Sequence, residues 1–490
     1  MTSIRRFRLL PALAIAVVLS ACSPGRTPGQ SVPASPPGSM PAPALASTSA
    51  AVVGASELSV VLGRPTDGSI TASVMAATDR QVEIAYGTAP GKYDHTTDPS
   101  SLTANLPANI EITGLAPDTA YYYAVVTGGM PSAEHTFHTQ RSVGTSFTFT
   151  IDADPHFGDP NFSGPLYATT LANAASENPD FHIDLGDTFM TEKARARSYD
   201  QAAATFSGMR PYLGIIGASA PLFLVNGNHE GEVGWTTGGS DTSLPLWCVK
   251  ARQQFYPNPT PNSFYSGATS PAPATGALRD GYYAWTWGDA LFIVLDPFWY
   301  TTVKPSNNIT DDNWRWTLGR AQYDWLRSTL ESSKSRYKFV FTHHLVGGAA
   351  EARGGVEFAG LYEWGGHDAD GTYAFDGQRP GWGKPIHQLL VDNHVTAVFH
   401  GHDHVYVEQD LDGIVYQELP QPSMAQYNRT SLAAEFGYTH GVVYGSSGHL
   451  RVTVTPAQVT VDYVRAYLPA DEKTDQLNAQ IDYTYSIAPR

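Results

Sequence analysis

The segment 395–404, VTAVFHGHDH, is an apolar run that ends in a glycine followed by two histidines with one residue between them. The apolar run predicts a buried strand, and successive side chains of an extended chain alternate between its two faces. His402 and His404 are therefore expected to point to the same side at the end of that strand. Buried strands of this kind, separated by helical stretches, predict an α/β layered domain with polar ligands at the carboxyl ends of its strands.

Four further motifs precede this segment, in a fixed order along the chain. They are Asp154-Pro-His156, Gly186-Asp187, Gly227-Asn228-His229-Glu230 and His343-His344. Taken singly, each has a simpler explanation: Asp154 as a helix N-cap, Gly186-Asp187 as a turn, and His343 as a core histidine. The ordered set instead predicts one shared site that holds two cations.

A pair of divalent cations sets chemical requirements that these residues meet. Ions about 3.5 to 4 Å apart need oxygen and imidazole donors and one carboxylate that bridges them. Asp187 suits the bridge, because the glycine before it lets the backbone pass close to the metals. Asp154 and His156 alternate along an extended chain, so both reach one ion. Asn228 offers a neutral carbonyl oxygen, which ligates a hard cation without adding charge.

Together the five motifs resemble the pattern of the calcineurin-like metallophosphoesterase superfamily, over about residues 147–465. The resemblance implies an α/β four-layer αββα sandwich. It also implies two ligand sets, the first metal with Asp154, His156, Asp187 and His404, and the second metal with Asp187, Asn228, His343 and His402. His344 follows the ligand histidine and is assigned to substrate binding.

An N-terminal β-rich segment makes the chain similar to the purple acid phosphatase branch, which has a fibronectin-III-like domain there. The segment 115–121, LAPDTAY, resembles the fibronectin-III stretch that carries a tyrosine corner. Two positions depart from that branch, because His156 is retained and Met190 stands where the branch has a metal-bound tyrosine. We therefore expect no tyrosinate-to-iron colour, and the mixed ligand set admits two divalent or trivalent ions such as Mn, Fe or Zn.

The predicted reaction is hydrolysis of a phosphate monoester by attack of a metal-bound hydroxide, because bound ions lower the pKa of water towards about 7. Asp187 and His229 are the predicted catalytic residues. His229 follows the ligand Asn228 but lies outside the ligand set, so it is placed to protonate the leaving oxygen, with Glu230 or Asp403 to orient it. The alternative for His229 is a structural turn residue.

Two loop-rich stretches, 231–280 and 347–380, predict walls or lids of the site, and His367 in the second is predicted to contact substrate. Two other functions stay open at this point. One is a phosphodiesterase that acts on nucleotides or lipid headgroups, and the other is a catalytically silent surface-binding protein on the same fold.

The N-terminus predicts export from the cytoplasm. Three arginines precede the apolar stretch Leu9–Leu19, which is too short to span a bilayer. The segment 19–22, LSAC, resembles a bacterial lipobox, so residues 1–22 are predicted as a lipoprotein signal peptide and Cys22 as the lipidation site. An ordinary cleavage site is the alternative. Residues 23–56, rich in Pro, Ser and Ala, predict a disordered tether, and hence a lipid-anchored protein of the cell envelope outside the cytoplasm.

Length and charge complete the expectations. The chain has 490 residues and a formal net charge of −16, which argues against a nucleic-acid partner and favours small phosphate esters drawn by the metals. Alternating short strands predict a fibronectin-III-like β-sandwich over 57–140, as structural support or for sugar or surface binding. A metallophosphoesterase domain is expected over 145–468, followed by a C-terminal tail over 469–490. Cys248 is expected to be a buried apolar residue.

Overall fold

The computed structural model describes residues 58–237, 243–271, 276–308 and 311–490. The predicted signal peptide, the tether and Cys22 lie outside these residues. Within the described ranges, no helix combines the length and the apolar character that a membrane span needs.

The N-terminal domain is built from short strands in which apolar residues alternate with polar ones. They are β1 Leu58–Gly63, β2 Ser69–Ala76, β3 Arg80–Gly87, β4 His95–Thr96, β5 Ser100–Leu102, β6 Ala108–Thr113, β7 Ala120–Thr127, β8 Met130–Pro131 and β9 His135–His138. β1, β2 and β6 form one antiparallel sheet, while β3 and β7 form the centre of the other. The Tyr121 hydroxyl accepts a 2.9 Å hydrogen bond from the backbone N–H of Ala116, which is the expected tyrosine corner.

The second domain contains longer apolar strands and all of the helices that the described residues form. Its strands are β10 Phe147–Asp152, β11 Phe181–Asp184, β12 Leu222–Leu224, β13 Ser266–Gly267, β14 Tyr283–Trp287, β15 Ala290–Val294, β16 Tyr337–Phe341, β17 Ala397–His400, β18 Tyr406–Leu411, β19 Ile414–Glu418, β20 Val442–Tyr444, β21 Gly448–Val454, β22 Val459–Arg465 and β23 Ile481–Ile487. Its helices are α1 Gly164–Ser176, α2 Tyr199–Gly217, α3 Leu244–Phe255, α4 Gly319–Ser332, α5 Tyr362–Gly365, α6 Phe375–Gln378, α7 Ile386–Asp392 and α8 Ser431–Glu435. Single turns of 3-10 helix occur at Gly234–Thr236, Asp311–Arg315, Ala350–Ala352 and Val356–Phe358.

Two sheets stack face to face in this domain. One has the order β12-β11-β10-β21-β22-β23, and the other has the order β13-β14-β15-β16-β17-β19-β18-β20. Aromatic side chains fill the space between them, and the rings of Phe149 and Phe292 meet edge to face at 5.2 Å between centroids. Helices α1 to α3 cover the outer face of the first sheet, and α4 and α7 cover the outer face of the second. The predicted αββα sandwich after an N-terminal β domain is thus confirmed.

Two segments differ from the sequence-based expectation. The loop-rich stretch 231–280 contains α3, whose buried face packs against α2. The C-terminal segment 469–490, expected as a tail, contributes β23, which pairs with β22 and extends the first sheet. The alternating pattern of β23 is weak because its side chains are mostly half-exposed on a sheet edge.

The N-terminal β domain is joined to the second domain by a buried arginine. Arg210 on α2 donates to the Ser59 hydroxyl at 3.2 Å, and to the hydroxyl and carbonyl of Ser73 at 3.2 and 2.9 Å. It also donates to the carbonyl of Phe255. No carboxylate pairs with it among the described residues, and burial lowers the pKa of its guanidinium to about 10. The guanidinium therefore satisfies the carbonyl at the end of α3 and links it to β1 and β2.

We expect Arg210→Ala to lower the free energy of unfolding by about 3 kcal/mol, since it leaves a cavity and an unpaired buried carbonyl at the end of α3. Chemical denaturation followed by intrinsic fluorescence measures this change. Arg320→Ala, on the exposed side of α4, is the matched control and should leave the midpoint unchanged. An unchanged midpoint for Arg210→Ala would show that the contact adds nothing to stability.

Candidate active site

Five loops meet where strands of the two sheets end, and each carries part of the motif set. Asp154 and His156 follow β10, Asp187 follows β11, Asn228 follows β12, His343 follows β16, and His402 and His404 follow β17. Backbone bonds tie neighbouring loops together, from the N–H of Asp154 to the carbonyl of Gly186 at 2.9 Å, and from that of Gly401 to the carbonyl of His343 at 3.0 Å. The Asp154 carboxylate accepts a 2.8 Å bond from the backbone N–H of His402, which links the two sheets.

The backbone at the site is held in an uncommon conformation. Non-glycine residues with positive φ include Asp154 at 61°, His156 at 60°, Asp187 at 53°, His402 at 83° and His404 at 61°. Such left-handed residues cost of order 1 to 3 kcal/mol each and persist where surrounding structure enforces them. Their clustering at one place is typical of a functional site.

The two carboxylates lie among imidazoles at distances that leave room for ions. The Asp154 Oδ1 atom is 3.4 Å from the Nε2 atom of His404 and 3.5 Å from that of His156. The Asp187 Oδ2 atom is 3.3 Å from His343 Nε2 and 3.6 Å from His156 Nε2. Potential ligand atoms form two groups, each with its atoms within 4.8 Å of one another: Asp154, His156 and His404 in one, and Asp187, His343 and His402 in the other.

Several buried polar atoms at this place have no hydrogen-bond partner within the described chain. They are Asp154 Oδ1, His156 Nε2, Asn228 Oδ1, His343 Nε2 and His402 Nδ1. A buried polar atom without a partner costs about 1 to 3 kcal/mol, so a converging group of them needs an explanation. All five are oxygen or imidazole nitrogen atoms, which are the donors that divalent metals take. The residues present therefore fit a metal centre.

The charges of the site also favour cations. Burial disfavours the carboxylate form of Asp154, yet the imidazoles of His343 and His404 outweigh it and hold the pKa well below the ordinary value. In return, Asp187 and Asp154 overcome the effect of burial on His343 and raise its pKa to about 10. The two carboxylates thus create a negative potential strong enough to stabilise positive charge at the position where the metals would bind.

Hydrogen bonds from behind fix the orientation of the imidazoles. His343 donates from Nδ1 to the carbonyl of Leu185 at 2.9 Å, and His402 donates from Nε2 to the carbonyl of Glu351 at 2.9 Å. Each bond fixes the tautomer in which the other ring nitrogen, when the ring is neutral, turns its lone pair towards the site. The side-chain amide of Asn313 holds the loop that carries Glu351, because it donates to the carbonyl of Ala349 at 3.0 Å and to that of Gly347 at 3.1 Å.

His229 is oriented by a residue other than the two predicted from the sequence. Its Nδ1 atom lies 2.7 Å from the carboxylate of Glu192, and its backbone N–H donates to Asp187 Oδ1 at 2.8 Å. Glu230 instead accepts backbone bonds from Thr188 and Gly227 at 2.6 Å each, and so joins two ligand loops. The expectation that Glu230 orients His229 is therefore corrected, because its carboxylate points towards the backbone.

Asp403 is also directed away from His229. Its carboxylate accepts from the guanidinium of Arg353 at 3.1 Å and from the Tyr438 hydroxyl at 2.8 Å. It thereby anchors the loop that forms one wall of the site.

A cavity of about 280 Å³ opens beside the ligand cluster. Its lining residues are Lys193, Asn228, His229, Trp235, Lys304, Pro305, Ser306, Asn307, Trp316, His344, Glu351, Arg353 and His402. His344 therefore lies at the site, where it packs against Trp316 with 4.7 Å between ring centroids. His367 does not reach this cavity, since its Nδ1 atom is bonded to the carbonyls of Gly360 and Gly365.

Four residues of the site were missed by sequence reasoning: Glu192, Lys193, Lys304 and Arg353. Glu192 and Lys193 closely follow the Gly186-Asp187 motif, Lys304 lies outside both loop-rich stretches and away from every motif, and none of the four belongs to a recognisable spacing. Arg353 does fall within the predicted wall 347–380. The sequence thus predicted the loop that contains Arg353, but it did not indicate which residue of that loop faces the site.

Comparisons with known proteins agree with this geometry. The family model described as calcineurin-like phosphoesterase matches residues 147–406, more than half of the chain. A search among curated proteins finds no match. Among solved structures, PhoD has a TM-score of 0.64 at 16% identity, covering 88% of this chain and 90% of that chain. The purple acid phosphatase PPD1 from yellow lupin (Lupinus luteus) seeds has a TM-score of 0.57 at 15% identity, covering 88% of this chain and 74% of that chain.

At such identities the two structures are evidence for the shared fold alone, whereas the family match extends over the whole motif set from Asp154 to His404. The chain belongs to the calcineurin-like phosphoesterase family and is a metal-dependent phosphoric ester hydrolase.

Proposed function

We propose that this protein hydrolyses phosphate monoesters with two bound metal ions, Mn, Fe or Zn. The observation that carries the proposal is the convergence of unpartnered ligand atoms beside a cavity that also contains His229. Asp154, His156, Asp187 and His404 would hold one ion, and Asp187, Asn228, His343 and His402 the other. When bound, the ions supply positive charge for the phosphoryl oxygens and lower the pKa of water.

The residues around the cavity perform the remaining steps. Arg353 lines it and is suited to bind the phosphoryl oxygens. His344 lines it as well, with its Nδ1 atom donating to the carbonyl of Leu345 at 2.7 Å. In the overall reaction, water adds to phosphorus and loses a proton to solvent, and the bond from phosphorus to the leaving oxygen breaks. His229 gives a proton to that oxygen and regains one from solvent, which leaves the alcohol and phosphate. Glu192 holds the imidazole of His229 by its Nδ1 atom, so the Nε2 atom is the one available for proton transfer.

A phosphodiesterase is the second candidate, and one observation favours it. A second hollow of about 480 Å³ adjoins the first and shares Asn307, Glu351 and Arg353 with it. Phe358 and Phe436 line this hollow, which offers apolar space for a second ester group. The two hollows together would accommodate both substituents of a diester.

Parallel assays test the two candidates. The full-length protein, loaded with Mn, Zn or Fe, is given p-nitrophenyl phosphate and bis(p-nitrophenyl) phosphate, with Asp187→Asn as the blank. We expect faster turnover of the monoester. Faster turnover of the diester would replace the first candidate by the second. No turnover of either substrate by protein that has bound two metals would favour the silent surface-binding protein.

We also propose that the enzyme is anchored outside the cytoplasm through lipidated Cys22, on the basis of the lipobox-like segment 19–22. In a bacterial host given radioactive palmitate, the wild-type protein should carry label and Cys22→Ala should carry none. If neither protein carried label, the proposed lipid anchor at Cys22 would be wrong.

A further inference from the structure

Two lysines lie on the side of the cavity that the leaving group would occupy. His229 is the proposed proton donor, so the leaving oxygen must lie next to its imidazole, and the rest of the leaving group must extend beyond it. Lys193 directly follows Glu192, which holds His229. Lys304 lines the same cavity as His229 and Lys193.

Lys193 forms one ion pair and Lys304 forms none among the described residues, so both amines keep N–H donors for an anion. Lys193 is 43% exposed and has one acidic neighbour, Asp159, at 3.3 Å. In the described part of the chain Lys304 forms no ion pair, and its ammonium lies 5.8 Å from the ring centroid of Trp235. Glu351 is the one acidic residue among the lining side chains, and it faces Arg353 at 3.6 Å. The lining of the leaving-group side thus contains two lysines and no acidic side chain apart from Glu351, while Asp159 and Glu192 lie behind the lysines.

A neutral leaving group would form no ion pair with the Lys193 and Lys304 ammonium groups, whereas an anionic one would. The reacting phosphoryl group already has the metal ligand cluster and Arg353 on its side of the cavity. Trp235 stands edge to face against Trp316 at 5.6 Å and offers an aromatic wall next to the lysines. A leaving group that combines an anion with a flat ring would contact both features.

We infer that Lys193 and Lys304 form an anion subsite for a second phosphate on the leaving group, so that the preferred substrates are phosphate esters of a phosphorylated, ring-containing alcohol. The inference rests on the proposed monoester hydrolysis and adds the substrate class to it. Adenosine 3′,5′-bisphosphate is the probe, because removal of one phosphate leaves a nucleoside that still carries the other. AMP is the matched substrate, because its leaving group is neutral.

The test compares wild type with the double variant Lys193→Gln/Lys304→Gln. For the bisphosphate, kcat/KM should fall about tenfold to a hundredfold, since hydrogen bonds to charged groups are strong. For AMP and p-nitrophenyl phosphate, kcat/KM should change less than about threefold. Raising the salt concentration should slow the bisphosphate reaction of the wild type more than the other two reactions, because mobile ions also screen the exposed amines.

The control is the double variant Lys92→Gln/Lys473→Gln, which changes two exposed lysines outside the cavity. It should leave kcat/KM unchanged for all three substrates. A similar loss for all three substrates, or no loss for the bisphosphate, would overturn the subsite. Calorimetric titration of the metal-loaded proteins with the bisphosphate separates this result from failure of the proposed function. If no ester is hydrolysed at all, at least tenfold tighter binding to wild type than to the double variant supports the subsite, and equal binding overturns it.

Discussion

Asp187→Asn is expected to lower kcat/KM for p-nitrophenyl phosphate by at least about 10³-fold. Residues that only support metal ligands already change metal affinity or activity by about 10- to 100-fold, and Asp187 stands at the centre of the ligand cluster. Its Oδ2 atom faces two imidazoles, those of His343 at 3.3 Å and His156 at 3.6 Å. An amide at this position loses the negative charge and turns either an N–H group or a weaker oxygen towards the ions.

Metal content distinguishes loss of the bridge from loss of the fold. We expect Asp187→Asn to retain fewer metal ions per chain after gel filtration, as measured by atomic emission. Asp392→Asn, at the exposed end of α7, changes the same residue type and should keep both activity and metal. Full activity and full metal content in Asp187→Asn would show that this carboxylate does not bridge the ions.

His229→Asn should slow substrates according to how much their leaving oxygen needs a proton. For an alkyl ester such as glycerol 2-phosphate, we expect kcat to fall about 10²- to 10³-fold, the range for loss of a general acid. For p-nitrophenyl phosphate, whose leaving oxygen is stable as an anion, the fall should stay below about tenfold. The ratio of the two rates, rather than either rate alone, reports the proton transfer.

Glu192→Gln provides the matched variant for this prediction, because it keeps the size of the side chain that holds His229. The 2.7 Å contact between His229 Nδ1 and the carboxylate lowers the pKa of Glu192, so at neutral pH the imidazole is held by a negative charge. The variant should show the same dependence on leaving group with a smaller amplitude. If His229→Asn slowed both esters equally, His229 would be a structural residue of the turn and the proton would come from elsewhere.

Much of the metal cluster was predictable because it depends on local features. Apolar runs indicated which strands are buried, and the residues after them supply the ligands, as with His402 and His404 after β17. The motif glycines are required because a side chain would clash with neighbouring atoms. A Cβ on Gly401, for example, would lie 2.6 Å from the Asp154 carboxylate. The alternation of ligands after a strand acts within a few residues, so a linear pattern records it, whereas the contact between Gly401 and Asp154 joins two loops that are distant in sequence.

Other parts of the site depend on which loops come to face each other. Glu192 and His229 are 37 residues apart, and no spacing rule relates them. The same applies to Lys304 and Arg353, which reach one cavity from separate loops. His367 was selected for its residue type within a suitable loop, but the turn it closes directs its ring to the carbonyls of that loop.

The sequence by itself determined the chemistry available to this protein, namely two carboxylates, an amide and a set of imidazoles at the ends of buried strands. The tertiary structure alone decided which acid orients His229, that Arg210 joins the β domain to α2, and that β23 completes a sheet. The physical reason is that ligand spacing follows from strand periodicity and local turns. Partners across loops and domains follow from strand order and sheet packing, which bring together residues far apart in the chain.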